Sequence, residues 1–363
     1  MDETRLDALL GESGLGGLLA GSPHAFAYFT GERLETQVAI PDRLALSTRS
    51  LGGGHLVTVC AVEAGQLAHV AGATIATYEE FAQAPADVHA AQLLGAGLRG
   101  RLGYEAAWMP VQVRESLERA LAGRIELVPA DALFGRLWAV KTQAQTAELE
   151  RGARATIAAI EASFRPGHAT EIDVAVDLAG GILRHGAEAI AFMILASGER
   201  ALVGHPVPSP LPLRAGDAIR TDVGGRFGGF LSDLARTGVI GTAPAAVREG
   251  YARLADIHSQ ILGRVRAGVA ARSLLLESEV LFERASLALS RHLVGHNIGM
   301  LVHEWPILNA FEAAPLETGM VVCIEHSTRV DGARLHIENT GVVTAGGFRL
   351  FTDASPWERL LEL

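Results

Sequence analysis

Cysteine is nearly missing from this chain. Two among 363 residues, Cys60 and Cys323, cannot build a disulfide framework, and both lie in apolar, strand-like runs. They read as buried, inert thiols of a reducing cytoplasm. Long apolar runs are missing as well. AIAFMILAS, residues 189–197, is among the longest and falls far short of a bilayer span. The opening MDETRLDALL has neither the basic segment nor the apolar stretch of a secretory signal, so a cytoplasmic protein without a membrane partner is expected. Positive charge is in deficit: 31 Lys and Arg against 41 Asp and Glu leave a formal charge of −10, which argues against a nucleic-acid partner. No Gly-x-Ser-x-Gly nucleophile motif occurs. GLGGLLAG near the start has no clear strand before it and makes a weak dinucleotide loop.

Apolar residues are plentiful. They make up 49% of the chain, with a mean hydropathy of +0.24, enough for a sizeable core. The length exceeds the usual single-core limit, so two domains are expected, 1–138 and 139–363. In the first, AFAYFTG, HLVTVCAV and RGRLGYEA read as strands. PVQVRESLERALAG reads as a helix, with Pro110 near its first turn and Gly123 past its end. This is an α/β pattern. In the second, TQAQTAELERGARATIAAIEASF and ATEIDVAVDLAGGILRHGA read as long helices, and two more are expected near 246–267 and 273–292. Strand pairs carrying acids interrupt them, so this part is α+β, with long helices on an antiparallel sheet.

Those acids pose a problem. In TDVGGRFGGFLSD, residues 221–233, Asp222 and Asp233 are equidistant from a turn centred between Phe227 and Gly228. In VVCIEHSTRVDGARLHIENTGVVT, the favoured turn Asp331-Gly332 sets Glu325 opposite Glu338. Like charges opposed across a ladder weaken it, and buried carboxylates need partners. Arg220, Arg226, Arg236, Arg329 and Arg334 flank the hairpins, so ion-pair networks are one solution. Metal is the other. Between the hairpins lies GHNIGMLVHEWP, with His296 and His303 around Gly299, and imidazole is the commonest neutral metal ligand. Four carboxylates balance two divalent cations, and oxygen donors with one imidazole suit Mn²⁺, Fe²⁺, Co²⁺ or Zn²⁺.

GDAIRTDVGGRFGGFLSDLARTGVIG, GHNIGMLVHEWP, CIEHSTR and HIENTGVVT resemble the signature blocks of the pita-bread metallopeptidases: methionine aminopeptidase, aminopeptidase P, prolidase and creatinase. The resemblance extends over the whole chain. It includes a creatinase/prolidase-type N-terminal domain and a tail, GGFRLFTDASPWERLLEL, like that of small microbial prolidases. It implies a C-terminal pita-bread catalytic domain holding two divalent ions on Asp222, Asp233, His296, Glu325 and Glu338. Asp233 and Glu338 would bridge the ions. Attack by a metal-bridging hydroxide is implied, with Glu325 moving the proton. His303 and His205 would contact the substrate and stabilise developing charge. The implied activity is hydrolysis of Xaa-Pro bonds in dipeptides or short peptides by a homodimer. Same-fold alternatives are an enzyme for a small non-peptide substrate (creatinase-like C–N hydrolysis or a lyase) and a non-catalytic binding protein.

Three positions depart from the family. Glu325 is followed by His326-Ser327 where Pro-Gly is usual. His336 stands two residues before Glu338, where Arg is frequent. Asn339 replaces the acid that usually follows that glutamate. His326 and His336 are read as sharing parity about the turn near the metals, with His326 a substrate contact or a hydrogen-bond partner of a ligand.

Overall fold

The structure, a computed structural model, describes residues 1–40, 42–352 and 358–363. Part of the prolidase-like tail, residues 353–357, lies outside the described residues. The chain divides into two units, Met1–Trp138 and Ala139–Leu363.

The first unit holds a six-stranded mixed sheet in the order Ala73–Tyr78, His55–Cys60, Leu46–Ser50, Gly17–Ala20, Gly100–Tyr104, Ile125–Pro129. AFAYFTG is not among its strands. Pro23–Thr30 is a helix: Ser22 accepts from Ala25 N at its start, Pro23 occupies its first turn, and Gly31 closes it at φ 79°. Those end signals override the strand preference of the aromatics between them. The helix is buried along nearly its whole length, which removes the amphipathic period that would have marked it. Val111–Leu121 forms the expected helix.

The second unit opens with α1 (Gln143–Ser163) and α2 (Glu171–Arg184). Both start in reciprocal capping boxes, Thr142 with Gln145 and Thr170 with Asp173. Next come β1 (Ala189–Ser197), β2 (Ala218–Phe227) and β3 (Leu234–Val239), antiparallel neighbours with β2 in the middle. α3 (Ala245–Leu262) and α4 (Ala271–Arg284) follow. Both end earlier than their periodicity predicts, before Gly263 and before the left-handed Ser286. A second antiparallel sheet contains β4 (Leu293–Asn297), β5 (Glu304–Asn309), β6 (Val321–Val330), β7 (Ala333–Val343) and β8 (Phe348–Leu350), in the order β5-β4-β6-β7-β8.

Each sheet carries its own helix pair. α1 and α2 bury Leu149, Ile160, Val174 and Leu178 in a core with Val223 and Leu234. α3 and α4 bury Leu254, Ile261, Leu274 and Phe282 against Ile324, Leu335 and Ile337. The sheets meet where β3 runs beside β7. There the fully buried Arg236 donates to Glu338 O (2.7 Å) and Asn339 Oδ1 (2.8 Å), and His336 N donates to Thr237 Oγ1 (2.7 Å). Among the described residues no helix is long and apolar enough to cross a membrane.

Candidate metal centre

The two acidic hairpins are built differently. Around Asp331–Gly332, Val330 pairs with Ala333 and Glu325 lies directly across from Glu338. In the first hairpin, Phe227 pairs with Phe230, and the turn is Gly228–Gly229, at φ 56° and 80°. Two successive positive φ angles suit a tight two-residue hairpin turn, and glycine enters both positions without strain. The turn centre is therefore one residue later than the expected one. Asp222 faces Ala235 rather than Asp233. Side chains alternate along a strand, so the two aspartates still share a face, as diagonal neighbours.

β4 brings the histidine in. His296 pairs with Cys323, and a Cβ on Gly295 would lie 2.1 Å from the Cys323 carbonyl oxygen. Only glycine permits that approach, which seats His296 beside the acids. Its Nε2 is 3.6 Å from Asp233 Oδ2 and 3.6 Å from Glu338 Oε1. The exposed His303 ring lies against it, centroids 4.1 Å apart and planes tilted by 38°.

Asp222, Asp233, His296, Glu325 and Glu338 are all buried. Burial and the neighbouring carboxylates push the Asp233 and Glu338 pKa values well above the ordinary range. Burial works the same way on Glu325, but the His336 hydrogen bond and Arg291 prevail and hold it at about 2. Burial lowers the pKa of His296, His303 (to about 4) and His336, leaving neutral rings.

The flanking arginines make their hydrogen bonds elsewhere, although Arg220 Nε and Nη1 are buried without one. Arg226 pairs with Glu188, Arg329 donates to Leu202 O, Arg334 to Ser327 Oγ, and Arg220 to Gly204 O. The cation that reaches the acids is Arg291, whose Nη1 lies 2.5 Å from Glu325 Oε2. Sequence reasoning missed it because it lies outside both hairpins, ahead of β4. Even so, Asp233 Oδ1, Glu325 Oε1 and Glu338 Oε1 are buried without a hydrogen-bond partner. Orphaned carboxylate oxygens that face one another are costly unless a cation joins them.

Divalent ions fit this donor set. Two atoms sharing an ion at about 2.1 Å from each are at most about 4.2 Å apart, and both His296 contacts meet that limit. Donors of Asp233, His296, Cys323 and Glu338 lie within 4.8 Å of one another, as do those of Asp222, His336 and Glu338, and of His296, His303 and Glu325. Cys323 is a poor member, because burial raises its thiol pKa and Thr340 Oγ1 sits 3.3 Å from its sulfur. As expected, both cysteines are free and buried.

His326 requires a correction. It pairs with Ile337, one position out of step with Glu325 and Glu338, so it points to the opposite face. There its Nδ1 meets His258 Nδ1 at 2.9 Å and its Nε2 meets Ser278 Oγ at 3.0 Å, beneath α3 and α4. Fully engaged and 1% exposed, it cannot touch a substrate. His336, across from Ser327, is on the acid face instead. The turn itself carried this signal, since residues 326 and 336 have unequal distances from its centre. Asn339 also faces the helices, bonding His258 and Arg236. His205 is exposed in the loop 203–217, one residue past the Gly204 carbonyl that Arg220 holds, and does not join the clustered donors.

A second missed set holds the His296–His303 segment. Lys141 Nζ contacts Glu304 Oε2 at 2.8 Å and Asn297 Oδ1 at 2.7 Å. Glu304 Oε1 accepts from Met300 N, and Asn297 Nδ2 donates to the carbonyl of Trp305, which precedes a cis bond to Pro306.

Known proteins resemble this chain. The family described as Metallopeptidase family M24 matches residues 146–345. The chain belongs to it. The Creatinase/Prolidase N-terminal domain matches residues 4–140, and the enzyme is a metallo-exopeptidase of the pita-bread group. An uncharacterized peptidase, YqhT, of Bacillus subtilis is 30% identical over 267 residues, covering 72% of this chain and 75% of its own. An Xaa-Pro dipeptidase of Pyrococcus furiosus is 28% identical over 236 residues, 62% of this chain and 67% of its own. The crystal structure of dipeptidase PepE from Mycobacterium ulcerans superposes with a TM-score of 0.84 at 28% identity, covering 99% of this chain and 97% of that one.

Proposed function

We propose that this M24 metallopeptidase is a dinuclear hydrolase of Xaa-Pro bonds in dipeptides or short peptides. The observation that carries the reading is the convergence of Asp222, Asp233, His296, Glu325 and Glu338, buried, with three carboxylate oxygens unpartnered. The similarity to the Xaa-Pro dipeptidase of Pyrococcus furiosus supplies the substrate class. These five side chains would hold two divalent ions, which would supply an activated water and polarisation of the scissile carbonyl.

The chain's own groups do the rest. Glu325 keeps Oε2 fixed by Arg291 and His336, so Oε1 is the oxygen that would face the ions and, from there, take a proton and hand it to the leaving nitrogen. A proline nitrogen has no N–H of its own and leaves only once protonated. His303, neutral and exposed beside His296, can donate a hydrogen bond to the carbonyl oxygen as charge develops there. His205, in its exposed loop, serves the substrate side. The reading includes a homodimer, checked by sedimentation.

The test is metal analysis of the purified protein, followed by turnover of Xaa-Pro dipeptides, longer Xaa-Pro peptides and guanidino compounds. Two ions per chain with dipeptide turnover is the expected result. Two ions with turnover of guanidino compounds alone would replace the peptide reading.

A further inference from the structure

His336 is wholly buried, and its two nitrogens are unequally employed. Nε2 lies 3.1 Å from Glu325 Oε2. The same oxygen accepts from Arg291 and so acts as an acceptor toward the ring as well, which puts the ring proton on Nε2 and leaves a lone pair on Nδ1. Nδ1 has no hydrogen-bond partner. It faces Asp222 Oδ2 at 3.8 Å, and Nδ1, a carboxylate oxygen of Asp222 and one of Glu338 all fall within 4.8 Å. A lone pair aimed at an acceptor in a buried site requires something positive between them. The separation is inside the limit of about 4.2 Å for two donors on one ion.

We propose that His336 is a sixth protein ligand, binding through Nδ1 the ion that Asp222 and Glu338 also hold. Each ion then has an imidazole of its own, His296 on one and His336 on the other. Glu325 sets the ring through Nε2–H, the usual way a carboxylate orients a ligating histidine. A second imidazole shifts the Asp222 side from oxygen-only donors toward a mixed set that favours Zn²⁺ and Co²⁺ over Mn²⁺.

The inference rests on the dinuclear reading, and the experiment separates the two. The metal-free protein and its His336→Gln and His336→Arg variants are titrated with Co²⁺, following bound ions per chain, visible absorption and paramagnetically shifted imidazole N–H resonances. The expected result is two ions in the wild type, one shifted imidazole set fewer in both variants, a changed absorption band and at least tenfold weaker binding of one ion. Because Arg fills the ring's space and is the residue frequent in the family, His336→Arg keeps the test open if the Gln variant folds poorly. Two ions with an unchanged set of imidazole resonances in either variant would overturn the ligand assignment and leave the dinuclear centre standing. Fewer than two ions in the wild type would overturn both.

Discussion

Lys141 Nζ and Glu304 Oε2 form an ion pair at 2.8 Å in which each side chain is 2% exposed. Burial lowers the Lys141 pKa and the Glu304 charge opposes that shift. Breaking a buried pair on one side leaves the other charge uncompensated, at a cost of about 3–5 kcal/mol. Lys141→Met is therefore expected to lower the denaturation midpoint strongly, and to lower kcat by loosening Asn297 and the His303 turn. Lys141→Met with Glu304→Leu should recover stability but not activity, because Glu304 also holds the Met300 amide. Denaturant titration and kinetics on the three proteins check this. Equal midpoints for the single and double variants would contradict it.

Glu325→Gln is nearly isosteric and removes the proton acceptor. With general-base assistance worth about 10²–10⁴-fold, kcat should fall by at least that factor. KM should change far less. A variant retaining more than a tenth of wild-type kcat would remove Glu325 from proton transfer.

Chelation should destabilise the protein, and more so at high pH. Asp233 and Glu338 have folded pKa values above their ordinary 3.8 and 4.5, from burial and the charge of neighbouring carboxylates. Without ions these two groups bind more protons in the folded state than in the unfolded one, so their contribution to stability is greatest below about pH 4 and is lost as pH rises through the raised values. Bound cations replace those protons. The rise in melting temperature on adding Mn²⁺ or Co²⁺ to chelated protein should thus be larger at pH 8 than at pH 5.5. A rise that is equal at both pH values would contradict the assignment.

His326→Leu tests the corrected position of that side chain. It removes the hydrogen bonds to His258 Nδ1 and Ser278 Oγ, at about 0.5–1.5 kcal/mol for each. Thermal stability should fall while the ranking of Xaa-Pro substrates stays the same. An altered ranking with unchanged stability would put His326 back in the pocket.

Much of this site is legible in one dimension. Asp331-Gly332 is a two-residue turn, so its chemistry alone sets Glu325 against Glu338, and counting from it places His336 with the acids and His326 behind them. The GHNIG and VHEWP blocks likewise carry their histidines in fixed spacing. The first hairpin was harder, since four glycines in six residues offer several turn centres. Pairing of Phe227 with Phe230 and of Asp222 with Ala235 selects one of them.

The chain's local chemistry determined which residues are acids on strands, where the second turn falls and in what order the donors come. Turn preference and side-chain alternation act over a few residues, so no distant partner is needed to read them. Tertiary structure alone decided that Arg291 reaches Glu325, that Lys141 is buried against Glu304 across 163 positions, and that the Pro23–Thr30 helix is packed on nearly every side. Those outcomes depend on desolvation by segments far away in sequence, and desolvation is a property of the packed whole.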